Sequence, residues 1–136
     1  MNDTSQGPII KLEDPIVDER GFIQRLVSFP TPIVGSVVLI FSKKGTIRAN
    51  HYHKTDWHYC FVIEGIIEYY FRNANSTAEP EKVIVKKGEM VYTPPMVEHA
   101  MVFLDDTTFL AISGGTRLQA DYEADLVRVQ LVTMKG

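Results

Sequence analysis

The sequence has very little cysteine and no long apolar run. Cys60 is the only cysteine in 136 residues, which excludes an internal disulfide framework, a zinc site built from several thiolates and a CxxC redox pair. No apolar stretch approaches the roughly 18 residues of a membrane span, and the first residues, MNDTSQGP, are polar without a basic region. These absences predict a soluble, cytoplasmic protein whose fold rests on packing.

The sequence also lacks a strong excess of charge of either sign. It contains 17 acidic and 14 basic residues, which give a formal net charge of -3. This balance argues against a protein whose main role is to bind a nucleic-acid backbone, although a few arginines can still bind a small anion. With 45% hydrophobic residues, a chain of this length predicts one globular domain over residues 1–136.

Helical patterns are scarce, and strand patterns fill the sequence. Short runs rich in Val, Ile, Phe and Tyr are separated by turn residues such as Lys44-Gly45 and Glu64-Gly65, as in hairpin-linked strands. The predicted strands span residues 9–12, 22–28, 36–41, 46–53, 58–63, 66–72, 82–85, 90–93, 100–104, 107–113 and 126–132, with 73–81 as a surface loop. So many short strands predict an all-β sandwich, jelly roll or barrel.

The histidines are unevenly distributed. His51, His53 and His58 lie within eight positions, and His99 follows two prolines. Because residues two apart in a strand share a face, His51 and His53 can point the same way, and His58 can join them from the next strand. Converging imidazoles can bind a metal ion. The alternative is that they serve a structural or acid–base role without a metal.

Two motifs resemble those of the cupin family. The first, G-x5-HxH-x3/4-E-x6-G, matches Gly45, His51, His53, His58 and Gly65, and the second, G-x5-P-x-G-x2-H, matches Gly88, Pro94, Met96 and His99. These core motifs span residues 45–65 and 88–103, with His58 in place of the usual glutamate and Met96 in place of the usual glycine. The resemblance implies a single cupin domain, a double-stranded β-helix or jelly-roll barrel. It also implies a divalent transition metal, Zn, Fe, Ni or Mn, bound by His51, His53, His58 and His99.

Flanking segments resemble cupins that act on nucleotide-linked deoxysugars. The string Asp18-Glu19-Arg20-Gly21-Phe22 and the arginine Arg48 are similar to the dTDP-4-dehydrorhamnose 3,5-epimerases and 3,4-ketoisomerases. The tail YEADLVR at 122–128 is similar to the ketoisomerases, and RANHYHK at 48–54 to the cupin domain of capsular-polysaccharide enzymes. The resemblance implies an isomerase or epimerase of a nucleotide-linked keto-sugar in polysaccharide biosynthesis, with Arg20 and Arg48 binding the substrate's diphosphate.

Other functions stay open at this point. A cupin of this kind could be an Fe- or Ni-dependent dioxygenase, or a non-catalytic module that binds a sugar or another metabolite. The proton-transfer group that an isomerase needs is not assigned among the candidates Tyr52, Tyr69, Tyr92, Glu68 and Glu98.

Alternation along the strand at 58–63 makes a prediction about its two faces. It places His58, Cys60 and Val62 inside the barrel, where Ala49, His99, Met101 and Phe103 would line the same cavity. The opposite face carries Trp57, Tyr59, Phe61 and Ile63. Because this face is too apolar for water, we expect the second sheet or a partner subunit to cover it, and a homodimer is predicted.

Overall fold

A computed structural model describes residues 7–28, 34–115 and 119–133. Within these ranges the chain forms twelve strands and one short helix, which confirms the all-β prediction. The elements are β1 (Ile9–Ile10), β2 (Ile16–Asp18), β3 (Gly21–Ile23), β4 (Ser36–Ser42), β5 (Ile47–His53), β6 (His58–Glu64), β7 (Ile66–Asn73), β8 (Glu81–Lys86), β9 (Met90–Thr93), β10 (Val97–Phe103), β11 (Thr107–Ser113), α1 (Gln119–Asp125) and β12 (Leu126–Arg128). In the same ranges, no helix has the length and apolar character needed to cross a membrane.

Two five-stranded sheets make up the barrel. The first has the strand order β1-β9-β6-β11-β4, and the second has the order β12-β5-β10-β7-β8. From β4 to β7 and again from β8 to β12 the chain crosses from one sheet to the other, and the paired strands are antiparallel. This crossing pattern confirms the predicted jelly roll.

The core lies between the inner faces of the two sheets. Its largest fully buried side chains include Ile67, Tyr69, Phe103 and Phe109. Strand alternation explains why Cys60 and Val62 of β6 face Met101 and Phe103 of β10 in this core. The predicted inward face of β6 is therefore confirmed, and it brings His58 to the end of the same interior.

The opposite face of β6 is covered by the chain's own N-terminal segment. Tyr59 is buried there with Met90 and Ile112. Partly buried side chains packed against them are Ile10, Leu12, Leu26, Val27, Trp57, Phe61 and Tyr92. The prediction that the second sheet or a partner subunit covers this face is wrong for Tyr59, because residues on both sides of the β2–β3 hairpin fold over it. Ile63, at the strand's far end, remains 39% exposed.

Elements near both ends of the described chain differ from the predicted strands. A hairpin of β2 and β3 replaces the single strand predicted at 22–28, and its apolar side chains Ile16, Val17, Phe22 and Ile23 are exposed. The helix α1 was not predicted, because its sequence, QADYEAD, has no apolar repeat at helical spacing. The last strand, predicted at 126–132, begins directly after α1 as expected but ends earlier, since β12 spans Leu126–Arg128.

Candidate metal centre and ligand cavities

The four histidines meet at one end of the barrel, and the strand pairing explains why. His51 lies opposite His99 in the pairing of β5 with β10, and alternation along β5 brings His53 to the same face as His51. β6 contributes His58 from the facing sheet. The ring centroids of His51 and His99 are 4.7 Å apart, those of His51 and His53 are 4.8 Å apart, and those of His53 and His58 are 4.4 Å apart.

The donor atoms of these histidines fall into two overlapping groups. One nitrogen from each of His51, His53 and His99 lies within 4.8 Å of the others. The same limit holds for a second group of His53, Asp56 and His58. The structure therefore brings all four predicted ligands to one place, with His53 common to both groups, and adds a carboxylate that was not predicted.

The hydrogen bonds of the imidazoles fit a metal site. His53 has its Nδ1 3.2 Å from Oδ2 of Asp125, whereas its Nε2 is buried and has no hydrogen-bond partner. Nδ1 of His99 lies 3.1 Å from the carbonyl oxygen of Val97, which leaves Nε2 as the nitrogen available to a metal ion. Buried polar atoms normally have partners, and a metal-bound histidine commonly donates its second N–H to a carboxylate or carbonyl. These residues therefore fit a transition-metal ion.

Burial keeps His51, His53 and His99 in the neutral form that binds metals. Burial, together with the neighbouring histidines, lowers the pKa of His51 to about 2. Burial, together with His58 and His53, lowers the pKa of His99 to about 3, although the Val97 carbonyl opposes this effect. Burial also lowers the pKa of His53. Because a metal ligand must be deprotonated, the site is ready to coordinate at neutral pH.

The carboxylate of Asp125, outside the predicted set, supports this centre. Asp125, the last residue of α1, accepts hydrogen bonds from the N–H and hydroxyl of Thr55 at 2.8 and 2.7 Å and from the N–H of Asp56 at 3.1 Å. Burial acts to raise the pKa of Asp125, but these bonds outweigh it and lower that pKa. α1 is therefore fixed by its end to the β5–β6 loop, beside His53.

Two cavities adjoin the histidines. The inner cavity, of about 130 Å³, is bordered by Arg48, His51, His58, Cys60, His99 and Tyr122, among others. The outer cavity, of about 380 Å³, is bordered by His53, Asp56, Trp57, Asp121, Tyr122 and Asp125, among others. Among the described residues, Tyr122 is the one that borders both cavities.

The sequence of this barrel matches the cupin domain over residues 38–113. This segment makes up more than half of the chain and contains all four histidines. The chain is a cupin. The predicted family resemblance is confirmed, and no curated protein sequence matches the chain.

Solved structures share the fold at low sequence identity. A double mutant of the QdtA 3,4-ketoisomerase from Thermoanaerobacterium thermosaccharolyticum, in complex with TDP, is 20% identical, covers 88% of this chain and 85% of that chain, and has a TM-score of 0.69. The dTDP-4-dehydrorhamnose 3,5-epimerase from Sulfolobus tokodaii is 18% identical, with coverages of 93% and 85% and a TM-score of 0.70. The capsular polysaccharide assembling protein CapF from Staphylococcus aureus is 24% identical, with coverages of 88% and 34% and a TM-score of 0.63. At these identities the similarity establishes the fold.

The cupin motif also explains an unusual backbone position. Met96 stands where the second motif has glycine, and its φ is +64°, in the left-handed region that favours glycine. Its N–H donates to the carbonyl of His53 at 2.8 Å. This hydrogen bond links the turn before β10 to the end of β5, the strand that carries His51 and His53.

The two arginines predicted to bind substrate lie in different surroundings. Arg48 borders the inner cavity, and its guanidinium donates to the hydroxyl of Ser42 at 2.5 Å and to the carbonyl of Phe41 at 3.1 Å. Arg20 lies in the exposed turn between β2 and β3, with 80% of its side chain exposed, and pairs with Asp18 at 2.7 Å. The structure therefore brings Arg48, and not Arg20, to the border of the described cavities.

None of the proton-transfer candidates from the sequence borders the two cavities among the described residues. The hydroxyl of Tyr69 is buried against that of Thr93 at 2.5 Å, and burial raises the pKa of Tyr69. Glu98 pairs with Arg72 at 2.7 Å. Tyr122, which sequence reasoning did not select, has its ring centroid 5.5 Å from that of His53. The signal that could have found it is the tail string YEADLVR, which begins with this tyrosine.

Proposed function

We propose that this cupin binds a divalent transition metal through His51, His53, His58 and His99 and isomerises or epimerises a nucleotide-linked keto-sugar. The observation that carries the proposal is the buried cluster of four imidazoles, one with an unpartnered Nε2, beside a cavity bordered by Arg48. The related folds of a TDP-bound 3,4-ketoisomerase and a 3,5-epimerase support the choice of substrate class.

The chain's own residues have distinct roles in this proposal. Arg48, with its planar guanidinium, would bind a phosphate oxygen by charge-assisted hydrogen bonds. Tyr122 would lie next to the sugar, since it borders both cavities, and its hydroxyl is the first candidate for proton transfer. A bound metal would polarise the sugar carbonyl and stabilise the enediolate.

Metal analysis of untagged protein, purified without chelators or a metal column, is the first test. We expect about one equivalent of a transition metal, and we expect titration with TDP and with TDP- and UDP-sugars to show saturable binding that Arg48→Met weakens. Arg20→Met is the matched control for the exposed arginine. A protein with neither metal nor nucleotide-sugar binding would contradict the proposal.

Further outcomes separate the alternatives. Nucleotide-sugar binding without metal would favour a metal-free epimerase, and oxygen uptake by the iron-loaded protein would favour a dioxygenase. Binding without turnover of any keto-sugar would favour a non-catalytic module. The predicted homodimer and cytoplasmic location stay predictions, and light scattering on the purified protein measures the first.

A further inference from the structure

The proposed ligand set lacks a negative charge. Imidazole binds metals in its neutral form, and in the first cupin motif His58 stands where the family has a glutamate. A divalent ion held by imidazoles alone would keep its full charge in a buried site, which is unfavourable unless an anion lies close to it. A carboxylate near these histidines would remove this deficit.

Asp56 is held in place for this role. Its Oδ1 accepts hydrogen bonds from the N–H groups of Trp57 and Gly115, both at 2.8 Å. A Cβ atom at position 115 would lie 2.9 Å from Oδ2 of Asp56. Glycine at this position therefore leaves space for the carboxylate. With Oδ1 anchored by the backbone, the direction of Oδ2 is determined.

Oδ2 points to the histidines. It lies 3.2 Å from Nε2 of His58, and donor atoms of Asp56, His58 and His53 all lie within 4.8 Å of one another. Two ligand atoms that are each about 2.0–2.2 Å from one ion stand roughly 3–3.5 Å apart. The unpartnered Nε2 of His53 is an independent sign that this group has a position for an ion.

We propose that Asp56 is the anionic metal ligand of this cupin, acting with His53 and His58 in place of the glutamate that His58 replaces. The inference rests on the metal binding of the proposed function. The hydrogen bonds to Oδ1 and the contact of Oδ2 with His58 fix the carboxylate at the position that this role requires.

Three variants test the proposal by their affinity for Zn²⁺ and Co²⁺, measured by competition with a chromophoric chelator. Asp56→Asn keeps an oxygen for the N–H groups of Trp57 and Gly115 but removes the charge. Asp121→Asn removes the same charge from the outer cavity, outside both groups of donor atoms. The double variant Asp56→Asn with His58→Glu moves the carboxylate two positions along the chain.

We expect Asp56→Asn to weaken metal binding by about 100-fold or more, at least the upper end of what removal of an outer partner causes. Asp121→Asn should bind like the wild type, and the double variant should recover most of the affinity. The Co²⁺ absorption spectrum should change in Asp56→Asn and not in Asp121→Asn. Melting of the metal-free proteins checks that all variants fold.

The outcomes distinguish this inference from the function it rests on. Wild-type affinity in Asp56→Asn, or an equal loss in Asp121→Asn, would overturn the role of Asp56 while metal binding stands. Failure of the double variant to recover affinity, with its fold intact, would also count against a ligand role. A wild-type protein that binds neither ion would remove the metal-binding proposal itself.

Discussion

The inner and outer cavities lie on either side of Tyr122, yet they differ in chemistry. The inner cavity is bordered by three of the four imidazoles and by Arg48, and no carboxylate borders it among the described residues. The outer cavity is bordered by the carboxylates of Asp56, Asp121 and Asp125. Three of the four imidazoles thus face the inner cavity, whereas His53 and the carboxylates face the outer one.

His53 connects the two sides. It borders the outer cavity, its Nδ1 contacts the carboxylate of Asp125 at the end of α1, and it belongs to both groups of candidate ligands. A defect at Asp125 should therefore reach the metal through His53, whereas loss of a proposed ligand, such as His99 or Asp56, should act on the metal directly.

Removal of an inner-side imidazole should have the largest effect. We expect His99→Ala to abolish stoichiometric metal binding, because His99 contributes one of the three nitrogens that converge in the first group. Elemental analysis of the purified variant measures this. Cys60→Ser, which changes another buried residue on the same cavity, should retain the metal. Unchanged metal content in His99→Ala would disprove the ligand set.

Acid should destabilise the metal-free protein through the inner side. The pKa of His51 is lowered to about 2 and that of His99 to about 3, whereas an unfolded histidine titrates near 6.5. Below about pH 6.5 the unfolded chain binds protons that the folded chain does not, so stability falls as pH falls, by roughly 1.4 kcal/mol per pH unit for each histidine.

Urea unfolding in the presence of EDTA between pH 7.5 and 4.5 measures this loss. The lower limit keeps Asp56 and Asp125 out of the comparison, because their lowered pKa values affect stability only in stronger acid. His99→Gln should reduce the slope of the unfolding free energy against pH by the equivalent of about one proton, whatever its effect on stability at pH 7.5. A pH dependence identical to that of the wild type would show that His99 is not held neutral.

The outer side should act more weakly, through orientation. Asp125→Asn keeps an acceptor for Thr55 but removes the charge beside Nδ1 of His53. We expect metal affinity to fall by about 10- to 100-fold, as for other partners of metal-bound histidines. Glu123→Gln, an exposed change on the same helix, should have no effect. If Asp125→Asn binds the metal as tightly as Glu123→Gln does, Asp125 only anchors α1.

The contrast between the two sides also explains how much could be predicted from the sequence. The inner side is built on β5, β6 and β10. Alternation predicts that His51 and His53 share a face and that His58 and Cys60 share one, and the resemblance to the cupin motifs added His99 and the jelly-roll barrel. The outer side is built on a loop and a seven-residue helix, which have no periodic pattern. Hydrogen bonds and tertiary packing bring Asp56, Asp125 and Tyr122 close to His53, and no periodic spacing along the chain predicts these contacts.

The smallest effect should come from the boundary between the cavities. The inner cavity, of about 130 Å³, is smaller than the roughly 300 Å³ at which ligand pockets begin. We therefore expect Tyr122, which borders both cavities, to move when a ligand of sugar size reaches the histidines. The chain's single cysteine, Cys60, borders this cavity and is 1% exposed. Its reaction with thiol reagents, followed by mass spectrometry, therefore reports access to the inner cavity.

We expect Tyr122→Ala to speed the reaction of Cys60 with a bulky aromatic disulfide by about tenfold, equivalent to ~1.4 kcal/mol in the opening equilibrium. The small reagent methyl methanethiosulfonate should be affected much less. Tyr122→Phe keeps the ring and should react like the wild type, and so should Tyr70→Ala, whose hydroxyl bonds Glu68 away from both cavities. If Cys60 reacts faster with the bulky reagent in Arg48→Ala but not in Tyr122→Ala, the route to the histidines passes Arg48. If Cys60 reacts faster with both reagents, and equally so in Tyr122→Ala and Tyr70→Ala, general loosening of the barrel exposes it. In either case Tyr122 does not separate the two cavities for incoming ligands.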